Sequence, residues 1–251
     1  MKKLLIFTIL ISCSLSLFAS QQLEISPLRL ELRIPPEGEY AGEYSVKNIT
    51  DSDMEVAIEV NDWFVLEDNK GIEAKDWLSF DPPVFNLKSN EVRVVKYKIK
   101  VPKEAKGELA EKISFTPTIS EAQLIVMMSV SLYVFIEGTE EPIVEIAKSV
   151  VRREKDGYTA AVVLKNEGNV HIRPTGKVTV LKGKKVVKTV PISYGWPVYP
   201  NQERAFFARW DDMLLDKGRY TAKFEVNLLH KGMVLKDSCR FKIDENGEVV
   251  K

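Results

Sequence analysis

Cysteine is almost absent from this 251-residue chain, which has only Cys13 and Cys239. With one of them inside an apolar leader, no internal disulfide is available, and burial of apolar side chains must hold the fold. Histidine is equally scarce. His171 and His230 lie in different predicted strands or loops, at no metal-ligand spacing, and read as ordinary strand or surface residues, so no metal site is expected. Net charge is also lacking: 36 basic side chains balance 36 acidic ones, which gives nucleic acid nothing to bind. Walker loops, GxGxxG stretches and GxSxG elbows are missing. The acid pairs Glu140-Glu141 and Asp211-Asp212 are adjacent on extended chain and point to opposite sides, so neither forms a general acid and base. Cys239, in Ser-Cys-Arg-Phe, reads as a small apolar residue. Neither an enzyme nor a cofactor is expected.

Two long apolar runs are present. The first, in MKKLLIFTILISCSLSLFAS, follows Lys2 and Lys3 and ends at small residues, the layout of a secretory signal peptide over residues 1–20. Its removal would leave a slightly acidic chain in the periplasm or another extracytoplasmic space. Leu10-Ile11-Ser12-Cys13 also fits the lipoprotein-processing pattern, which leaves lipidation at Cys13 open.

The second run, Leu124 to Ile136, has no charge, proline or glycine in a chain that is 29% charged. As a helix it would rise about 20 Å, short of the ~30 Å bilayer core, so no transmembrane span is expected in the mature chain. As a strand it would extend about 40 Å, and its Ile, Val, Tyr and Phe content favours that state. The prediction is one long strand, apolar on both faces.

Elsewhere the periodicity is also that of strands. LEISPLRLELRI, MEVAIEVNDWFVL, EVRVVKYKIKVP, YTAAVVLKN, GKVTVLK and RYTAKFEVNLL alternate with period two, separated by turn signals at Gly71, Gly157, Gly183, Gly218 and Gly232. About fourteen strands at this spacing imply an all-β chain with two immunoglobulin-like sandwiches in tandem. The expected divisions are 21–138 and 143–251, joined by a hinge at 139–142. Asn166, Gly168 and Asn169 read as turn formers. Trp63, Phe64, Trp77 and Phe80 are expected in a core, because a sandwich without disulfides needs their area. Lys96, Lys98 and Lys100 share one strand face, read as solvated or as an edge guarded against aggregation, with an acidic partner as the alternative.

SPLRLEL, DPPVFNLKSNEVRVVKYKI and the apolar strand before a short hinge resemble the N-terminal domain of the PapD-like periplasmic pilus-assembly chaperones. The resemblance covers roughly residues 23–142; the second half, through LKNEGNVHIRPTGKVTVLKGKKVV and GRYTAKFEVNLLHKG, looks like divergent immunoglobulin-like modules of exported proteins. The family lends its last N-domain strand to an incomplete pilus subunit. The resemblance therefore implies partner-binding residues Leu124, Val126, Met128, Val130 and Leu132, facing a partner's open core. The family also anchors the subunit's terminal carboxylate with an arginine and a lysine. Arg29 matches the arginine, while Ser131, or Ser129 with a shift of two, stands where the lysine belongs. Implied partners are exported subunits or envelope proteins, with a structural adaptor or surface protein of the envelope as the other reading.

Overall fold

The computed structural model describes residues 21–119, 124–193, 196–228 and 232–250. The expected signal peptide, Cys13 and His230 lie outside them. The first half builds β1 (Leu23–Ser26), β2 (Arg29–Ile34), β3 (Glu39–Asn48), β4 (Met54–Phe64), α1 (Ala74–Trp77), β5 (Leu78–Asp81), β6 (Val84–Leu87), β7 (Val92–Lys100), β8 (Glu108–Thr118) and β9 (Met128–Ile136). The second half builds β10 (Val144–Arg153), β11 (Tyr158–Asn166), β12 (Thr175–Lys182), β13 (Lys185–Ile192), β14 (Gln202–Trp210), β15 (Gly218–Asn227), β16 (Val234–Ile243) and β17 (Val249–Val250). Apart from α1, helix among the described residues amounts to one 3-10 turn at Glu67–Asn69.

Four sheets result, in the orders β1-β3-β7-β5, β2-β9-β8-β4-β6, β10-β11-β14 and β13-β12-β15-β16-β17. The first two enclose one core, including Leu23, Tyr44, Val95, Phe115, Leu132 and Ile136. The last two enclose another, including Tyr158, Leu164, Val178, Phe206 and Phe224. The chain is thus all-β, with two sandwiches in tandem, and no helix among the described residues is long and apolar enough to cross a membrane.

Period-two alternation explains most strands, since alternate residues enter a core and the rest face outward. Turns follow their residues too: Gly183, between β12 and β13, has a positive φ that a side chain would strain. Gly157 differs from expectation. It is absent from the positive-φ glycines, and its need is space, because a Cβ there would lie 1.9 Å from the Trp210 carbonyl oxygen.

The long apolar strand is shorter than predicted. β9 begins at Met128, opposite Phe115 of β8, and Leu124–Met127 are not strand. Although β8 runs on to Thr118, its Pro117 has no N–H for a ladder, and the Leu124 carbonyl and Val126 N–H bond instead to the Gln22 side chain. Trp63 also departs from expectation. It is 40% exposed, against Tyr199, while Trp77 is buried.

Candidate partner-binding edge and interdomain cleft

β9 is an interior strand for most of its length. β8 pairs antiparallel with it from Met128 to Phe135, and β2 pairs parallel with it from Ser131 to Ile136. Its even-numbered residues, Val130, Leu132, Val134 and Ile136, are fully buried in the first sandwich's core, and Met128 packs against that core. The expectation that Met128, Val130 and Leu132 face a partner's open core is therefore corrected: that face is already covered by the chain's own opposing sheet. Val126 is half-buried, and Leu124 is 48% exposed. Gln22 fastens both, donating Nε2–H to the Leu124 carbonyl at 2.9 Å and accepting from the Val126 N–H at 3.0 Å.

The odd-numbered residues meet two environments. Tyr133 and Phe135 are buried, and His171 from the second sandwich stacks near both, with ring centroids 4.4 and 5.3 Å away. The Tyr133 and Tyr199 hydroxyls share a hydrogen bond of 2.8 Å. Both faces of β9 are apolar for two reasons, the sandwich core on one side and the second domain on the other. Toward the start of the strand that second cover ends. Ser131 is half-buried, Ser129 is exposed with its hydroxyl 3.0 Å from that of Ser114, and Met127 and Ile125 are exposed. Leu28, whose carbonyl accepts from the Ser131 N–H at 3.2 Å, is exposed as well. The β2 ladder starts only at Ser131, so among the described residues Met128–Val130 have a strand neighbour on the β8 side alone.

Arg29 sits opposite Ser131 in the β2–β9 register, which brings the two sequence-derived anchor positions together. The guanidinium is half-exposed, and its Nε lies 3.2 Å from Glu31 Oε1. That same oxygen accepts from Arg173 Nε at 2.9 Å and lies 3.8 Å from His171 Nε2. The neighbouring His171 chiefly, with Arg173 helping against burial, holds the Glu31 carboxyl down to about 2. A client carboxylate arriving at Arg29 would thus compete with an internal carboxylate that is ionised across the whole physiological range.

Behind Glu31, the buried Glu108 accepts from the His171 backbone N–H at 2.7 Å, and its other oxygen lies 2.6 Å from His171 Nδ1. Burial works to lower the imidazole's pKa, but the hydrogen bond to Glu108 and the nearby Glu31 carboxylate outweigh it and raise the value. The segment expected to hinge is fastened from both sides. Asn169 accepts from the Glu141 N–H at 2.7 Å and donates to the Thr139 carbonyl at 3.0 Å. The Thr139 hydroxyl accepts from the Gly107 N–H, and Arg33 pairs with the buried Glu140 carboxylate while lying over the Phe135 ring. Asn166, also a turn former, is fully buried and donates to the Val170 and Val198 carbonyls.

His171, expected to be an ordinary strand or surface residue, is instead buried and paired with Glu108, and Glu31, Glu108, Tyr133, Arg173 and Tyr199 carry no local signal of this cluster. The alternation Arg29-Leu-Glu31-Leu-Arg33 does mark a charged strand face. Its partners lie more than a hundred residues away, beyond any local pattern. Among the described residues no group of three or more His, Cys, Asp or Glu could hold a metal ion.

No family model and no curated protein matches the sequence. Among solved structures, the chain is similar to the YadV chaperone, at 13% identity over 88% of this chain and 100% of that one, with a TM-score of 0.47. It is similar to the class 5 fimbriae chaperone CfaA, at 13% identity over 86% and 98%, with a TM-score of 0.49. It is similar also to the E. coli chaperone DraB, at 16% identity over 87% and 96%, with a TM-score of 0.41.

Proposed function

We propose that this chain is an exported, non-enzymatic chaperone-like protein that holds client subunits by strand addition at the start of β9. The observation that carries this reading is the open side of Met128–Val130, where β8 is the one strand neighbour among the described residues and exposed Leu28, Ile125 and Met127 stand alongside. Backbone groups at such an edge supply hydrogen bonds to an extended client, and flanking apolar side chains supply area. The binding edge is the backbone of Met128–Val130, with Arg29, opposite Ser131 in the register, as the cation beside it. Periplasmic residence of the mature chain and pilus-type or other exported subunits as clients belong to the same reading.

A photo-crosslinker at Met127, in the cell envelope, tests it. Capture of a small set of exported chains there, with none at Lys184, which is also exposed, is the expected result. Equal capture at both positions, or none at Met127, overturns it. A second reading, a permanent envelope adaptor, is favoured by one observation: Arg29 already faces Glu31. Pulse-chase labelling separates the two, because a chaperone's crosslinks disappear as subunits are assembled, and an adaptor's persist.

A further inference from the structure

The outer faces of the two sandwiches carry their charge differently. On the first sandwich, the outward residues of β1, β3, β5 and β7 include Lys47, Lys96, Lys98 and Lys100 against Glu24, Glu39, Glu43 and Asp81. Register places them together: Glu24 opposite Lys47, Glu39 opposite Lys100, and Lys96 between Glu43 and Asp81. That face is charge-matched strand by strand. On the second sandwich, the outward residues of β12, β15 and β16 carry Lys177, Arg219, Lys223, Lys236, Arg240 and Lys242, all exposed. Glu225 is the single carboxylate among those outward positions, and it pairs with Lys177 at 3.2 Å.

Six cations against one carboxylate is a large local excess in a chain with no net charge. The excess is spread over a surface and is not gathered in a pocket. Neighbouring strands lie about 4.8 Å apart and same-face residues about 7 Å apart along each strand, so the cations form a two-dimensional array. Between them lie Thr175, Thr179, Thr221 and Ser238, whose hydroxyls donate to anionic oxygens. A shallow depression of about 650 Å³ opens here, lined by Lys177, Lys223 and Lys236 and also by Glu225 and Asp237. A linear polyanion would meet one row of such an array, and a small anion one pair. A sheet of anionic headgroups meets all rows at once, and the absence of large aromatic side chains among these outward positions fits adsorption without insertion.

We infer that the outer face of β12, β15 and β16 docks on anionic phospholipid headgroups, holding the protein peripherally at a membrane surface. This rests on the charge of the second sandwich and is independent of the strand-addition reading. The test is co-sedimentation of the exported, purified protein with vesicles of phosphatidylglycerol mixed into phosphatidylcholine, against phosphatidylcholine alone. Wild type is expected to sediment with the anionic vesicles only and to be released by salt. The variant Lys177→Gln/Lys223→Gln/Lys236→Gln should lose more than about tenfold in partitioning, since each cation near such a surface contributes severalfold. Lys96→Gln/Lys98→Gln/Lys100→Gln removes the same charge from the matched face and should bind as wild type does; both variants should melt like wild type. Absence of anionic-vesicle binding by wild type, equal loss in the two variants, or preference for soluble polyglutamate over the vesicles each overturns the inference.

Discussion

The two ends of β9 belong to one strand and have opposite fates. From Ser131 onward it is held by β2, β8, the core and the second sandwich, whereas Met128–Val130 have one ladder, with exposed Ile125 and Met127 just ahead of them. The difference shows that an apolar sequence does not by itself make a binding strand. What matters is where neighbouring elements stop covering it.

Breaking the held end should produce the largest effect. His171→Ala leaves Glu108 buried without its partner, and removing one member of a buried ion pair costs about 3–5 kcal/mol. A melting scan of the purified protein should show that loss. Because the folded imidazole pKa is raised, the contribution is fully present below the unfolded value of about 6.5 and is lost as pH rises through the higher folded value. Wild-type stability should therefore decline on the alkaline side, and that decline should be smaller in His171→Ala.

Glu111 sharpens the comparison from inside the core. It lies opposite Leu132 in the register, is buried with Oε2 unpartnered, and is pushed up to about 8 by burial and then by Asp62. A carboxyl raised in the folded state favours folding at acid pH, and its cost grows as pH climbs from about 4.5 towards about 8. Glu111→Gln should consequently be more stable than wild type at alkaline pH by about 1–3 kcal/mol, with the advantage vanishing in acid, as urea titrations at several pH values would show.

At the open end the expected change in stability is smallest. Met127→Asp alters an exposed position and should shift unfolding by less than about 0.5 kcal/mol, while abolishing client crosslinking from a reporter at Ile125. A large loss of stability instead would place Met127 in the fold's own packing and remove the contrast between the two ends.

Much of the fold was legible in particular residues. Alternation in VRVVKYKIK and RYTAKFEVN places Val95, Tyr97, Ile99, Tyr220, Ala222 and Phe224 inward, as found, because a pleated strand leaves no other arrangement. The resemblance carried by SPLRLEL placed Arg29 on a strand beside the apolar one, and the register sets it against Ser131. Which face of that strand was already occupied could not be read locally. Val130 and Leu132 look the same in sequence whether they enter a partner or their own core.

By itself the sequence determined the all-β class, the turns at glycine and the dependence on apolar burial without disulfides, since these follow from composition, period and local backbone preference. Only the tertiary structure decided that Glu31 meets His171 and Arg173, that Asn169 fastens the linker, and that six cations of the second sandwich gather on one face with a single carboxylate. The physical reason is range. Strand period acts between neighbours in the chain, whereas charges and hydrogen-bond partners act between groups that folding alone brings within a few ångströms.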